Sequence, residues 1–143
     1  LLNRIDGNYV FLNKQQINKY YNESYSGLRL SDIEGACLVS VEYLLSGLPV
    51  ISVKNFGGRD KLLKQMGEYS LTDLNYDTNE IQEAIQFYKN KNFIKEDIRD
   101  RIIKVIDYEW QNLFIELDKL KIDIKEKNNF KENFIYSWNK YKL

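Results

Sequence analysis

Apolar positions in the first half of the chain alternate between strand-like and helix-like spacing. Short runs rich in β-forming residues predict four strands, at residues 8–12, 28–30, 49–53 and 69–71. Apolar residues three and four apart predict three intervening helices, at residues 14–21, 36–46 and 61–66. Because strands that alternate with helices pair in parallel, the pattern predicts an α/β layer fold, with a parallel sheet and flanking helices.

Two of these strands carry further information. Residues 8–12 predict a short buried strand, and the continuous apolar run at 49–53 predicts a strand that is covered on both faces. Gly47 stands where a left-handed helix cap belongs, and Pro49 follows it. We therefore expect the helix over residues 36–46 to end at this glycine.

After about residue 71 every apolar pattern is helical. Asp77, with Glu80 three residues later, predicts the start of a helix with a capping box. A second helix is marked by Ile98, Ile102, Val105 and Ile106, and a heptad series by Trp110, Leu113, Leu117, Leu120 and Ile124. Because this series spans fewer than three heptads, packing against the domain is favoured over a coiled-coil homodimer.

The pattern divides the chain into a domain over residues 1–125 and an amphipathic helix over residues 126–143, with residues 125–129 as a candidate hinge. The helix is indicated by Phe134, Ile135, Trp138 and Tyr141. Lysines alternate with aromatic residues in this tail, which is typical of contact with an anionic membrane surface. Acidic residues are interspersed among them and favour a solvated helix face.

Composition narrows the classes of protein. The 143 residues are 43% apolar and 29% charged, with 21 basic and 21 acidic side chains, as in a soluble globular protein without a nucleic-acid footprint. The absence of histidine excludes histidine-based catalysis and histidine metal ligands, and we expect no metal. A single cysteine, Cys37, excludes disulfides within the chain and weakly favours a reducing compartment, here the cytoplasm.

The stretch "SDIEGACLVSVEYLLSGLPVI" places two carboxylates, Glu34 and Glu42, on an otherwise apolar helix. A helix N-terminus offers free N–H groups and a partial positive charge, so the backbone of residues 35–38 can bind a phosphate. A buried carboxylate is costly unless it has a partner, so Glu42 needs one. The alternatives are that Glu34 is only a helix-start residue favoured by the helix dipole and that Glu42 forms an ordinary salt bridge to a nearby lysine or arginine.

Two smaller features accompany this stretch. Gly57 and Gly58, followed by Arg59, come after a predicted strand, where ligand loops lie in open α/β sheets. They are a candidate phosphate loop, and a plain turn is the alternative. Cys37 is read as a small buried apolar residue and not as a nucleophile.

These motifs together resemble the retaining glycosyltransferases of GT-B fold, the group 1 or family 4-like enzymes. The signature comprises the turn S-x-x-E-G from Ser31 to Gly35, a second glutamate on the next helix, the strand "GLPVI" and a glycine pair. The resemblance implies the partial C-terminal domain of a GT-B enzyme, Rossmann-like, incomplete at its N-terminus and ending in a helical tail.

The resemblance also implies what each residue does. Glu34 is the implied catalytic residue and contacts hydroxyls of the donor sugar, and Glu42 binds the ribose hydroxyls. The implied donor-binding set is Ser31, Glu34, Gly35, Ala36, Cys37, Leu38 and Glu42. The donor is a nucleotide sugar linked to UDP or GDP, the acceptor is a glycan or a lipid-linked glycan, and no metal or other cofactor is implied.

The chain departs from the family at Ala36-Cys37, where many members have Phe-Gly, and at Arg59-Asp60, where they reach a glutamate further on. The acceptor-binding domain and the basic residues that hold the diphosphate are not in these 143 residues. We therefore expect a fragment that is inactive alone, from an enzyme of bacterial surface-polysaccharide synthesis that works in the cytoplasm or at the inner face of the membrane. The alternatives are an assembly module with a vestigial nucleotide site and a GT-B nucleotide-sugar epimerase.

Overall fold

The computed structural model describes the backbone of residues 2–5, 8–31, 33, 38–54 and 59–121, and the side chains among them except those of residues 2–10 and 59. Five strands are present: β1 (Leu2–Ile5), β2 (Asn8–Phe11), β3 (Gly27–Arg29), β4 (Val50–Val53) and β5 (Ser70–Leu74). Five α-helices accompany them: α1 (Lys14–Glu23), α2 (Leu38–Leu45), α3 (Arg59–Lys64), α4 (Thr78–Asn90) and α5 (Lys95–Lys119).

The core is a three-stranded parallel sheet in the order β3-β4-β5, with helices on both faces. On one face Val50 packs with Val41 and Leu44 of α2 and with residues of α3 and α5. On the other face Ile51 packs against α4. Every residue of β4 is buried, so the predicted α/β fold and the strand covered on both faces are confirmed.

The strand predicted at residues 8–12 is present as β2, but the burial predicted for its Phe11 is wrong. β2 pairs antiparallel with β1, which the apolar pattern did not indicate, and lies in a separate two-stranded sheet. Phe11 at its end is 81% exposed. Asp6-Gly7, which links the two strands along the chain, is a sequence signal for a two-residue hairpin.

The turn from α2 into β4 is set by Gly47, as predicted. Its φ is +75°, a left-handed conformation that glycine adopts without a Cβ penalty. Gly47 N–H donates to the carbonyl of Leu44, and Leu48 N–H donates to that of Tyr43, which makes a Schellman cap. Arg99 of α5 donates to the carbonyl of Leu45, the last residue of α2, and to that of Ser46, which follows it.

The start of α4 follows the prediction only in part. Asp77 is the N-cap, and its carboxylate accepts hydrogen bonds from the N–H groups of Asn79 and Glu80. The Glu80 carboxylate accepts from the backbone of Asn75 instead of that of Asp77. The helix is therefore capped by the aspartate, while the glutamate fixes the preceding turn.

The two apolar series lie, from residue 98 to residue 117, on one continuous helix, α5, of 25 residues, and Leu120 is its C-cap. Its first half is buried through Ile98, Ile102, Val105 and Ile106, and Trp110 packs at the edge of the same cluster. Beyond the tryptophan, Leu113 and Leu120 are exposed, so packing of the heptad series against the described domain stops at Trp110. Ile124, the candidate hinge and the helix over residues 126–143 lie outside the described residues.

No helix in the described part of the chain combines the length and the apolar character needed to cross a membrane.

Candidate functional site

The candidate site lies at the carboxyl edge of the parallel sheet. β3, β4 and β5 run in the same direction, so their carboxyl ends share one edge, where ligands bind in open α/β sheets. Two chain segments leave this edge toward helices: residues 30–37 lead from β3 to α2, and residues 54–58 lead from β4 to α3. These segments contain most of the residues that the sequence nominated for the donor.

The structure describes part of that set. Ser31 follows β3 and is half-buried, and Leu38 is the first residue of α2 and is exposed. Glu42 lies one turn further along the same helix. Outside the described residues are Glu34, Gly35, Ala36, Cys37, Gly57 and Gly58. Arg59 begins α3, and its side chain is not described.

Glu42 has the partner that its partial burial requires. The hydroxyl of Tyr21, a buried residue of α1, donates to Oε2 of Glu42 across 3.2 Å. Among the described side chains, no lysine or arginine nitrogen lies within 4.0 Å of this carboxylate. The hydrogen-bond partner of Glu42 is thus a hydroxyl and not a cation, and the described residues do not form the salt bridge considered from the sequence.

Packing of two aromatic rings fixes the position of Glu42. The Tyr21 and Tyr43 rings meet edge to face, with centroids 5.2 Å apart. The Tyr43 ring also lies directly on the backbone of Gly27 in β3, where a Cβ atom would collide with it. Because only glycine leaves this space, α2 approaches β3 closely, and the carboxylate on α2 is held at a fixed place beside the sheet.

A second charged group at this edge was not found from the sequence. Arg29, the last residue of β3, is only 3% exposed, whereas its neighbours Leu28 and Leu30 are 38% and 39% exposed. Alternation along the strand therefore points the arginine inward and the two leucines outward, the reverse of the usual arrangement. The apolar pattern predicts leucines in the core, which is why it passed over this residue.

The Arg29 guanidinium connects three elements. Its Nη2 donates to Oδ1 of Asp60 in the first turn of α3 across 2.8 Å, and its Nε donates to Oγ of Ser52 in β4 across 2.8 Å. Ser52 in turn donates to the carbonyl of Val53. Nη1 of Arg29 is buried and has no hydrogen-bond partner among the residues that the structure describes. Asp60, noted from the sequence only as a departure from the family, is the ion-pair partner of this arginine.

Among the described residues, no three aspartate, glutamate or cysteine side chains gather in a way that could hold a metal ion. A separate open groove lies between β5 and α4, on the face of the sheet that α4 covers. It is mostly apolar and is lined by Leu71, Leu74, Glu80, Glu83, Ala84 and Phe87. None of the residues nominated from the sequence line this groove.

Comparisons with models of known protein families, with curated proteins and with solved structures find no match to this chain. The class of fold therefore follows from the structure itself: an α/β domain with an open three-stranded parallel sheet flanked by helices.

Proposed function

We propose that this chain is the donor-binding part of a retaining glycosyltransferase of GT-B fold. The complete enzyme transfers a sugar from a UDP- or GDP-linked donor to a glycan or lipid-linked acceptor in bacterial surface-polysaccharide synthesis, in the cytoplasm or at the inner face of the membrane. The observation that carries the proposal is Glu42. Its carboxylate lies on the helix that follows the carboxyl edge. The hydroxyl of Tyr21 orients it, and it has no basic partner among the described residues.

In this proposal Glu42 accepts hydrogen bonds from the two ribose hydroxyls of the donor. The backbone N–H groups of residues 35–38 hold the diphosphate, and their partial positive charge stabilises it as it leaves. Glu34 contacts the hydroxyls of the sugar, and Gly57, Gly58 and Arg59 form a second phosphate contact. The leaving diphosphate is stabilised by N–H groups and basic side chains, without a metal.

The unpaired side of β3 supports the idea that further strands belong to this domain. In the described part of the chain β3 has a neighbour on one side only, and its two leucines are partly exposed. An unpaired strand edge with exposed apolar side chains is typically covered in a complete protein. We therefore expect the 143 residues alone to be inactive and the longer polypeptide to be the enzyme.

The test is nucleotide binding by the polypeptide encoded by the complete gene. Titration calorimetry with UDP and GDP should show binding of one of them, and Glu42→Ala should weaken it by about tenfold or more, since a charged acceptor for two hydroxyls is lost. Glu116→Ala, on the exposed face of α5, is the matched control and should leave affinity unchanged. Binding of neither nucleotide to the unmodified protein would reject the proposal.

Release of UDP or GDP from a sugar donor separates two enzymatic outcomes. A transferase releases the nucleotide only when an acceptor is present, whereas an epimerase converts the donor without acceptor. The readout is free nucleotide measured with and without a glycan acceptor.

A second candidate, an assembly module, is favoured by the uncovered stripe on α5. Beyond the point where this helix leaves the core, Leu113 is exposed and Leu117 is half-buried, and Leu120, the C-cap of the helix, is exposed. In that case light scattering should show an oligomer that Leu117→Asp dissociates, and the protein should bind no nucleotide. Ile115→Asp, at an exposed position off the heptad series, is the control that should keep the oligomer.

A further inference from the structure

The Glu42 carboxylate receives one hydrogen bond from the described residues, and its donor is the hydroxyl of Tyr21. The bond reaches Oε2 of Glu42 across 3.2 Å and joins α1 to α2. In the described part of the chain, Oε1 of Glu42 accepts no hydrogen bond. Because a carboxylate has about four acceptor sites on its two oxygens, the hydroxyl occupies one site and leaves the others for further donors.

The position of this hydroxyl is fixed by packing. Tyr21 is 5% exposed, and its ring meets the Tyr43 ring edge to face. The Tyr43 ring lies in turn on the backbone of Gly27, where a Cβ atom would collide with it. A buried ring that is packed in this way keeps one rotamer, so its hydroxyl has one place relative to α2.

The helix that carries Tyr21 is held at both of its ends. Asn13 and Gln16 form a capping box at the start of α1. At the other end, Nζ of Lys95 on α5 donates to the carbonyl of Asn22, the residue after Tyr21, across 2.9 Å. The hydroxyl that contacts Glu42 is therefore supported by a helix whose last turn is bonded to the long helix of the core.

Ring packing alone does not require the hydroxyl. A phenylalanine at position 21 would make the same edge-to-face contact and would leave Glu42 free to change rotamer. A lysine or an arginine in this place would hold the carboxylate, but its several charge-assisted donors would compete with a ligand for the same oxygens. A tyrosine hydroxyl limits the carboxylate to one orientation and occupies a single acceptor site.

We propose that Tyr21 is a positioning residue for ribose recognition: it holds the Glu42 carboxylate in the orientation that accepts hydrogen bonds from the 2′- and 3′-hydroxyls of the nucleotide. This inference rests on the proposed function, because it concerns the ribose of the same donor. It also implies a specificity, since a preorganised acceptor for a hydroxyl discriminates against an analogue that lacks that hydroxyl. The site therefore distinguishes a ribonucleotide from its 2′-deoxy form through an acceptor that Tyr21 orients.

The experiment measures the affinity of the complete polypeptide for UDP and for 2′-deoxy-UDP, or for the corresponding guanine nucleotides if GDP is the one bound. The unmodified protein should prefer the ribonucleotide by about tenfold or more. Tyr21→Phe keeps the ring and removes the hydroxyl, and should weaken binding of the ribonucleotide by about three- to tenfold. The 2′-deoxy form makes only one of the two contacts and should lose less, so the preference should fall by about threefold.

A double-mutant cycle shows whether Tyr21 acts through Glu42. In a Glu42→Ala background no carboxylate remains to be oriented, so Tyr21→Phe should change either affinity by less than about twofold. Tyr88→Phe is the matched control, because it removes the hydroxyl of another buried tyrosine, one that donates to the carbonyl of Glu68. This control should leave the preference for the ribonucleotide unchanged.

The outcomes separate the two proposals. If the unmodified protein binds neither UDP nor GDP, the proposed function fails. If it binds one of them, a preference that Tyr21→Phe changes by less than about twofold overturns this inference while the proposed function stands. The same conclusion follows if Tyr21→Phe still weakens ribonucleotide binding in the Glu42→Ala background. Because the two nucleotides are compared on the same folded molecules, a loss of stability in Tyr21→Phe does not change the ratio of their affinities.

Discussion

The contact between Gly27 and the Tyr43 ring gives a prediction whose magnitude follows from the structure. A Cβ added at Gly27 would lie 2.7 Å from Cε2 of Tyr43 and closer still to Cγ and Cδ2. Ordinary carbon–carbon contacts are about 3.5 to 4 Å, so the ring or the whole of α2 has to move. Overpacking of this kind costs about 1 to 3 kcal/mol, and alanine regains about 0.5 to 1 kcal/mol of the backbone entropy that glycine loses. We expect Gly27→Ala to destabilise the protein by about 1 to 2 kcal/mol.

The assay is urea unfolding at 25 °C followed by tryptophan fluorescence. With a urea dependence of about 2 kcal/mol per molar, the middle of the usual range, the loss lowers the midpoint by roughly 0.5 to 1 M. The same substitution is made in a Tyr43→Ala background, where the ring is absent. There the added methyl has space, and Gly27→Ala should be neutral or slightly stabilising.

Gly67→Ala is the matched control for this cycle. Gly67 has a φ of +62°, and nothing lies within 4 Å of where its Cβ would be. Its cost comes from the backbone, about 1 kcal/mol, and should be the same whether or not the Tyr43 ring is present. One contradicting result is that Gly27→Ala lowers the free energy of unfolding equally in the two backgrounds, and the other is that it changes this free energy by less than about 0.5 kcal/mol in both. Either result would show that the ring contact does not limit the approach of α2 to β3.

Three further predictions concern stability. Leu44→Ala, at a fully buried position of α2, should cost about 2 to 5 kcal/mol in urea unfolding. Asp77→Ala should cost about 1 kcal/mol by the same assay, because the N-cap acceptor of α4 is lost. Burial, and secondarily the charge of Glu68, raises the pKa of Tyr88, so the folded state keeps this phenol proton at a pH where the unfolded state has lost it. Stability contributed by this proton is complete below pH 10 and falls as pH rises beyond it, and unfolding midpoints measured between pH 9 and pH 11 should show the decline.

Each of these predictions has a control variant. Leu113→Ala, on the exposed part of α5, should change stability by less than about 0.5 kcal/mol, and a cost equal to that of Leu44→Ala would mean that the stripe is covered. Glu83→Ala on α4 has no capping role and should be nearly neutral. Tyr88→Phe should flatten the alkaline decline, and an unchanged slope would assign the decline to other groups.

Several features of the fold could be predicted because the signals that specify them are local. The cap of α2 needs a left-handed residue, and Gly47 supplies it within the same turn. Asp77 caps α4 through N–H groups two and three residues away. The run at β4 is apolar at every position but one, and a strand covered on both faces satisfies that pattern. In each case the residues that interact are close in sequence, so spacing alone identifies them.

The errors arose where the partner lies elsewhere in the chain. β2 has the composition of a core strand, but β1 pairs with it in a separate sheet and Phe11 remains exposed. The heptad spacing on α5 continues past Trp110, but the buried cluster against which the helix packs extends only as far as that residue. Composition and spacing state that a segment is apolar, whereas its burial depends on what the fold brings against it.

The candidate site shows the same division. The sequence by itself determined that Glu42 lies on an apolar helix and needs a partner. The charge of Glu42 and the apolar periodicity around it both follow from residues that are close in sequence. Only the tertiary structure decided that the partner is the hydroxyl of Tyr21 on another helix, and that Arg29 turns inward to Ser52 and Asp60 while its neighbouring leucines turn outward. These contacts join residues 21 to 31 positions apart, and their energies depend on distances that no spacing along the chain specifies.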